Sequence, residues 1–218
     1  MNGSIDSYTS TRANINQLFD FKQFYQFFSL LDQFPELPKK FGMVWRFAPM
    51  ADPLVEEWHS RDLDSRISHR EVSAVNDWKS TGRTYHIMRD HPQHGTQILG
   101  GMFGMRKNNH HRNQTFAFQR MLDLCKLKWE KGLDQWVLNQ VVWPLARHDM
   151  VAHDSYLCNS YPSEFNRPYP TQRINGPNYT NPGEWNYIGS NGGTFYLPDD
   201  NPCPIECRPA VHQDWLLC

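Results

Sequence analysis

A helix start written between two strand-like runs limits the folds open to this chain. Ser68-His69-Arg70-Glu71 has the spacing in which a serine hydroxyl caps a helix and a glutamate three residues on reaches back. Val72, Val75 and Trp78 follow on one helical face, and Gly82 is a natural stop. Leu54 to Trp58 reads as a strand before this helix and Thr84 to Met88 as a strand after it. Strand, helix and strand in succession have a βαβ-like rhythm and predict an α/β fold.

The rest of the chain divides into three stretches. Residues 1–40 hold a polar opening and an amphipathic helix over Ile15 to Phe34, with Leu18, Phe21, Tyr25, Phe28 and Leu31 on one face, ended by Pro35 and Pro38. Residues 41–160 carry the α/β domain. Its later part predicts a helix over Thr115 to Lys131, with Phe118, Leu122, Cys125 and Trp129 on one face. A short helix from Asp134 to Val142 follows, stopped by Pro144, and Met150 to Asp154 reads as the last buried strand. From Tyr161 onward Pro, Gly and Asn dominate, so 161–218 reads as an irregular tail wrapped on the domain.

With 218 residues the chain allows one domain with a sizeable core. Its net charge of −1 gives no electrostatic reason to expect nonspecific binding to nucleic acid or to an acidic membrane. No run of eighteen apolar residues occurs, so no membrane span is expected, and the polar opening taken literally starts the chain in the cytoplasm. Three Asn-x-Ser/Thr sites, at Asn2, Asn113 and Asn178, point instead to a secretory lumen or to secretion. Five cysteines agree, three of them (Cys203, Cys207, Cys218) within the last sixteen residues, where a Pro-rich tail gains most from covalent staples. An odd count leaves one thiol over, and Cys125, on an apolar helical face, is the expected remainder.

Candidate chemistry centres on Asp62 and Asp64, two carboxylates one residue apart after a strand, a pattern that can hold Mg²⁺ or Mn²⁺ and through it phosphate oxygens. The same pattern also occurs in solvated loops. His153-Asp154 ends the last strand and offers an imidazole, which Mn²⁺ accepts beside carboxylates. Asp134-Gln135 opens a helix, where the pair can bond sugar hydroxyls or serve as a cap. Gly100-Gly101 breaks the run Ile98 to Gly104 and marks either a close backbone approach or a packing corner. A rival reading is zinc, for which His91 and His94 have usable spacing. The basic loop Arg106-Lys107 to Arg112 is a solvated surface or a guide for an anionic donor or acceptor.

Taken together, several segments resemble a family of animal and microbial proteins that read as GT-A-type glycosyltransferases. They are Trp45-Arg46-Phe47, Arg61-Asp62-Leu63-Asp64-Ser65-Arg66, Met88-Arg89-Asp90-His91-Pro92, Ile98-Leu99-Gly100-Gly101-Met102, Asp134-Gln135 with Trp143-Pro144, and the ending Cys203-x3-Cys207 to Cys218. The similarity spans about Trp45 to Cys218, and the order of motifs is also similar to glycogenin and its relatives.

The resemblance implies a partial GT-A-like, Rossmann-related mixed sheet with flanking helices and transfer of a sugar from a nucleotide-sugar donor to a glycan or glycoprotein acceptor, with a Golgi-type location. It implies Asp62, Asp64 and His153 on Mn²⁺ or Mg²⁺, and Arg61, Gly100 and Gly101 around the donor. Asp134 and Gln135 would hold the transferring sugar, with Asp90 a further carboxylate nearby. A GT-A base-binding half takes roughly a hundred residues, whereas 61 precede Asp62. The expectation therefore includes a truncated form and a catalytically silent carbohydrate-binding or partner module.

Overall fold

A computed structural model describes residues 34–35, 42–107, 111–125, 130–161, 165–173, 187–190 and 202–218. The amphipathic helix expected over Ile15 to Phe34 lies outside these residues except for Phe34, which is buried edge-on against Phe118, ring centroids 5.2 Å apart.

The architecture is mixed α/β around a five-stranded sheet. Its strands are β1 (Glu57–Arg61), β2 (Tyr85–Arg89), β3 (Met102–Arg106), β4 (Met150–Asp154) and β5 (Asn166–Arg167), in the order β1-β3-β2-β4-β5. β3 runs antiparallel to both neighbours, while β4 is parallel to β2 and to β5. Hence β1, β2 and β4 all point the same way. Their carboxyl ends, together with the loop that enters β3, share one edge of the sheet.

Helix α1 (His69–Thr81) begins and ends as its sequence dictates. The Ser68 hydroxyl accepts from the Glu71 amide, and Gly82 closes the helix at φ 73°, a left-handed turn that glycine makes without strain. The strands flanking α1 are parallel but not adjacent, because β3 intervenes. The expected strand at Leu54 to Trp58 forms three residues later, and the glycine-broken run Ile98 to Gly104 delivers β3.

Strand alternation assigns the two faces. Trp58, Phe103, Met105, Ile87 and Ala152 lie on one, where they meet a ten-residue 3₁₀ helix (Gly42–Ala51), α2 (His111–Leu124) and α3 (Leu133–Val137). His59, Met102, His86, Met88 and His153 lie on the other, beneath α1 and the tail residues Tyr169 and Ile188. β2 and β4 are buried along their whole length, as central strands covered on both sides must be.

Pro144 does not stop the helix it was expected to stop. After α3 the chain widens into a π-helical turn, Leu138–Val142, and then continues as α4 (Trp143–Ala146) with the proline in its first turn. The wider turn, in which the Trp143 amide donates to the Leu138 carbonyl five residues back, carries the helix past a residue that has no N–H to give. Met150 to Asp154 is the last buried strand, as expected, and the two-residue β5, not buried, adds to its edge from the tail.

Two disulfides bind the tail. Cys158 pairs with Cys207 and Cys203 with Cys218, spanning 49 and 15 residues, while Cys125 stays buried outside both bonds. Such bridges form and persist in oxidising compartments. No helix among the described residues is long and apolar enough to cross a membrane.

Candidate functional site

The carboxyl edge of the sheet gathers most of the residues singled out from sequence, and ligands of open α/β sheets bind at that edge. Asp62 follows β1 in a turn closed by the Ser65 amide donating to the Asp62 carbonyl (3.1 Å). Its carboxylate accepts from Arg46 Nη1 at 2.8 Å and lies flat on Gly101, where a Cβ would stand 2.2 Å from Asp62 Oδ2. A side chain at position 101 would therefore displace Asp62. Asp64 is exposed in the same turn.

The glycine pair is clamped through its backbone. The Gly100 amide donates to Gln135 Oε1 (3.0 Å), and Gln135 Nε2 donates to the Ile98 carbonyl. Ser60 Oγ donates to the Gly100 carbonyl (2.5 Å), and Arg61 Nη1 to the Gly101 carbonyl (2.7 Å). Gln135 and Arg61 are thus committed to holding the loop.

Asp134, one residue before Gln135 in the first turn of α3, is buried beside this loop. A Cβ on Gly100 would sit 3.5 Å from its Oδ2 and 3.7 Å from Arg46 Nη1. Arg46, Asp62 and Asp134 therefore converge around two residues without side chains. Sequence reasoning gave Arg46 no role of its own. Its signal was being the single charge in the otherwise apolar Gly42–Ala51 segment.

Arg61 also meets Glu71 of α1 (Nε–Oε1 2.7 Å). Burial pushes the Glu71 carboxyl up to about 7, with Arg61 opposing the shift.

Asp90 occupies a different setting at the same edge. Fully buried, it accepts from Arg70 Nε and Nη2 (3.0 and 2.9 Å), Arg173 Nη2 (2.6 Å), Ser155 Oγ (2.7 Å) and the Ile188 amide (2.9 Å). Burial pushes its carboxyl up, but the Arg173 and Arg70 guanidiniums outweigh this and hold it well below the usual carboxylate range. Arg70 and Ser155 also donate to the Cys218 carbonyl, so this knot fastens the tail to α1 and β4. Asp90's oxygens are taken by protein donors.

His153 does not join Asp62 and Asp64. It projects to the opposite sheet face, where its Nδ1 lies 2.8 Å from His86 Nε2 and its Nε2 3.2 Å from Asp77 Oδ2. One tautomer pattern satisfies both contacts: His86 Nε2–H donates to His153 Nδ1, and His153 Nε2–H donates to Asp77. Arg167 completes the Asp77 carboxylate at 3.0 Å. Burial lowers His153, with Asp77 opposing, and holds His86 well below the ordinary imidazole value.

Among the described residues no three His, Cys, Asp or Glu side chains converge as a metal's ligands would. The ligand trio Asp62, Asp64 and His153 is therefore not assembled, and the same holds for a zinc site at His91 and His94. His94 Nδ1 accepts from the Asp90 amide (3.0 Å) and His91 Nδ1 from the Gln93 amide (3.1 Å). Asp62 and Asp64 remain a two-carboxylate turn. That set suits a hard divalent cation whose other ligands come from water and phosphate.

Searched against family models, curated proteins and solved structures, the chain matches none.

Proposed function

We propose that the chain is a glycosyltransferase-type domain that binds a nucleotide-sugar at the carboxyl edge of its sheet. The observation that carries this reading is the convergence of Arg46, Asp62 and Asp134 around the clamped Gly100-Gly101 loop, beside the exposed Asp64.

In this reading Asp64 and Asp62 would hold Mn²⁺ or Mg²⁺, and the cation would supply charge neutralisation for a nucleoside diphosphate leaving group. Asp134 accepts a hydroxyl of the transferring sugar. Arg46 orients Asp62, Gln135 and Arg61 hold the loop, and Asp90 with Arg70 and Arg173 secures the frame behind it. The acceptor is a glycan or glycoprotein.

Calorimetric titration with a panel of nucleoside diphosphates, with and without Mn²⁺, tests this. Metal-dependent binding is expected, and it should vanish in Asp64→Ala while the melting temperature stays unchanged, because Asp64 is exposed. A folded protein that binds no nucleotide in either condition refutes the proposal.

One contact favours a second reading, a catalytically silent sugar-binding module. Arg46 already sits on Asp62 at 2.8 Å, where a cation would need that carboxylate. Nucleotide or sugar binding indifferent to metal would select this reading.

A further inference from the structure

One motif of the sequence takes no part in the sheet edge. Asn113-Gln114-Thr115 has the Asn-x-Thr pattern at which sugar is attached to asparagine, and its middle residue is not proline. It falls in the first turn of α2. Gln114 turns inward: its side chain is buried, and Nε2 donates to the Arg106 carbonyl at 2.9 Å, which ties the start of α2 to the end of β3. With Gln114 anchored there, Asn113 faces out and is exposed. The other two such motifs, at Asn2 and Asn178, lie outside the described residues.

Attachment needs the right compartment and a fold that leaves room for the product. The bonds Cys158–Cys207 and Cys203–Cys218 are those of an oxidising compartment, the kind in which asparagine-linked sugar is added. Transfer takes place on the extended chain before α2 has formed, so the helix is no obstacle. Burial of Asn113 in the finished fold would be one, and Asn113 is not buried.

The same helical face gives the sugar something to cover. Phe116, Ala117, Arg120 and Leu124 stand three, four, seven and eleven residues after Asn113, the spacings of one stripe along a helix. These four residues line a groove together with Trp136. Phe116 is 72% exposed. Helical side chains lean toward the helix amino terminus, so its ring lies over the turn that carries Asn113. A pyranose has an apolar face of polarised C–H bonds, which the negative face of a phenyl ring attracts, and its hydroxyls can stay in water.

We infer that Asn113 carries an N-linked glycan whose first sugar covers Phe116. Asn113 Nδ2 attacks the anomeric carbon of an oligosaccharide carried on a lipid pyrophosphate. The N–C bond forms as the C–O bond to pyrophosphate breaks, Nδ2 gives up one proton, and the lipid pyrophosphate leaves. The attached sugar shields an aromatic ring that α2 otherwise shows to water. The inference is independent of the chemistry proposed for the carboxyl edge.

The full chain, secreted from a eukaryotic host behind a cleavable signal, tests it. Digestion with an N-glycosidase in heavy-oxygen water, followed by peptide mapping, should find Asn113 converted to labelled aspartate in most molecules. Thr115→Ser should keep the modification. Asn113→Gln should lose it at an unchanged fold, because the side chain is exposed. Stripping the glycan from the folded protein should raise binding of an apolar anilinonaphthalene dye, and in Phe116→Ser that rise should disappear.

Three results would overturn the inference. The first is a secreted, folded chain in which Asn113 is unmodified. The second is modification confined to Asn2 or Asn178. The third is dye binding that ignores removal of the glycan, or that rises equally in Phe116→Ser, since the sugar would then not lie on that ring.

Discussion

Replacing Asp90 by Asn isolates the knot that ties the tail to the sheet. The carboxylate of Asp90 faces two guanidiniums, one hydroxyl and one amide, all within 3.0 Å and all donors. Asparagine keeps one acceptor oxygen but turns an NH₂ toward groups that, the Ser155 hydroxyl apart, can only donate, and it leaves Arg70 and Arg173 buried with their neutralising charge removed. Breaking a buried pair in this way costs about 3–5 kcal/mol. At the entropy of unfolding usual for a domain of this size, that is a fall in melting temperature of roughly 10 °C.

Chemical denaturation of wild type and variant at neutral pH, with disulfides intact, measures it, and Ser155→Ala serves as a comparison that removes one hydroxyl and no charge. The sign with pH also follows. Asp90 is held below its unfolded value, so its stabilisation is complete above the ordinary carboxylate range and is lost as pH falls through and below it. The gap between wild type and Asp90→Asn should therefore shrink in acid. A loss below about 1 kcal/mol, or a gap that does not change with pH, would refute charge compensation as the role of Asp90.

Two further outcomes concern the histidine face. Burial lowers His59 and His94 to about 4, with Arg61 and Lys79 adding to the effect at His59 and Asp90 opposing it at His94. The unfolded chain therefore binds more protons between about 4 and 6.5. Stability should fall as pH drops through that window, and His59→Gln should flatten the slope in a denaturation series; an unchanged slope would count against it. Gly104→Ala should cost about 1–3 kcal/mol, because a Cβ there would stand 2.4 Å from His59 Nδ1 and Cε1. In a double-mutant cycle with His59→Ala the two losses should be less than additive, whereas simple additivity would mean the ring is not what excludes the side chain.

The legible parts of the fold were those fixed by neighbours in sequence. Helix α1 declared itself by Ser68, Glu71 and Gly82 because capping acts within one turn. The buried strands β2 and β4 showed as short apolar runs. Strand β3 was hidden because two of its features, Gly101 before it and Gly104 within it, read as breaks. Each glycine makes room for a side chain brought from elsewhere in the chain, Asp62 of the turn after β1 in one case and His59 of β1 in the other. Pro144 misled because the π-helical turn before it changes the hydrogen-bond register and lets the helix run on through the proline.

At the candidate site the sequence picked out residue types and the tertiary structure assigned their work. Asp62, Asp64, Asp134 and the glycine pair were conspicuous, but nothing local placed Arg46 on Asp62 or turned Gln135 into a clamp. Asp90 and His153 sat in equally conspicuous motifs and went elsewhere, one to Arg70 and Arg173, the other to His86 and Asp77. The chain by itself determined its α/β class, its caps and Cys125 as the cysteine outside the disulfides, since periodicity, capping and parity act over a few residues or by count. Strand order, disulfide partners and the split of acidic and histidine groups between two sheet faces depend on contacts across up to a hundred positions or more. Only packing, which weighs buried charge against available partners, decides those.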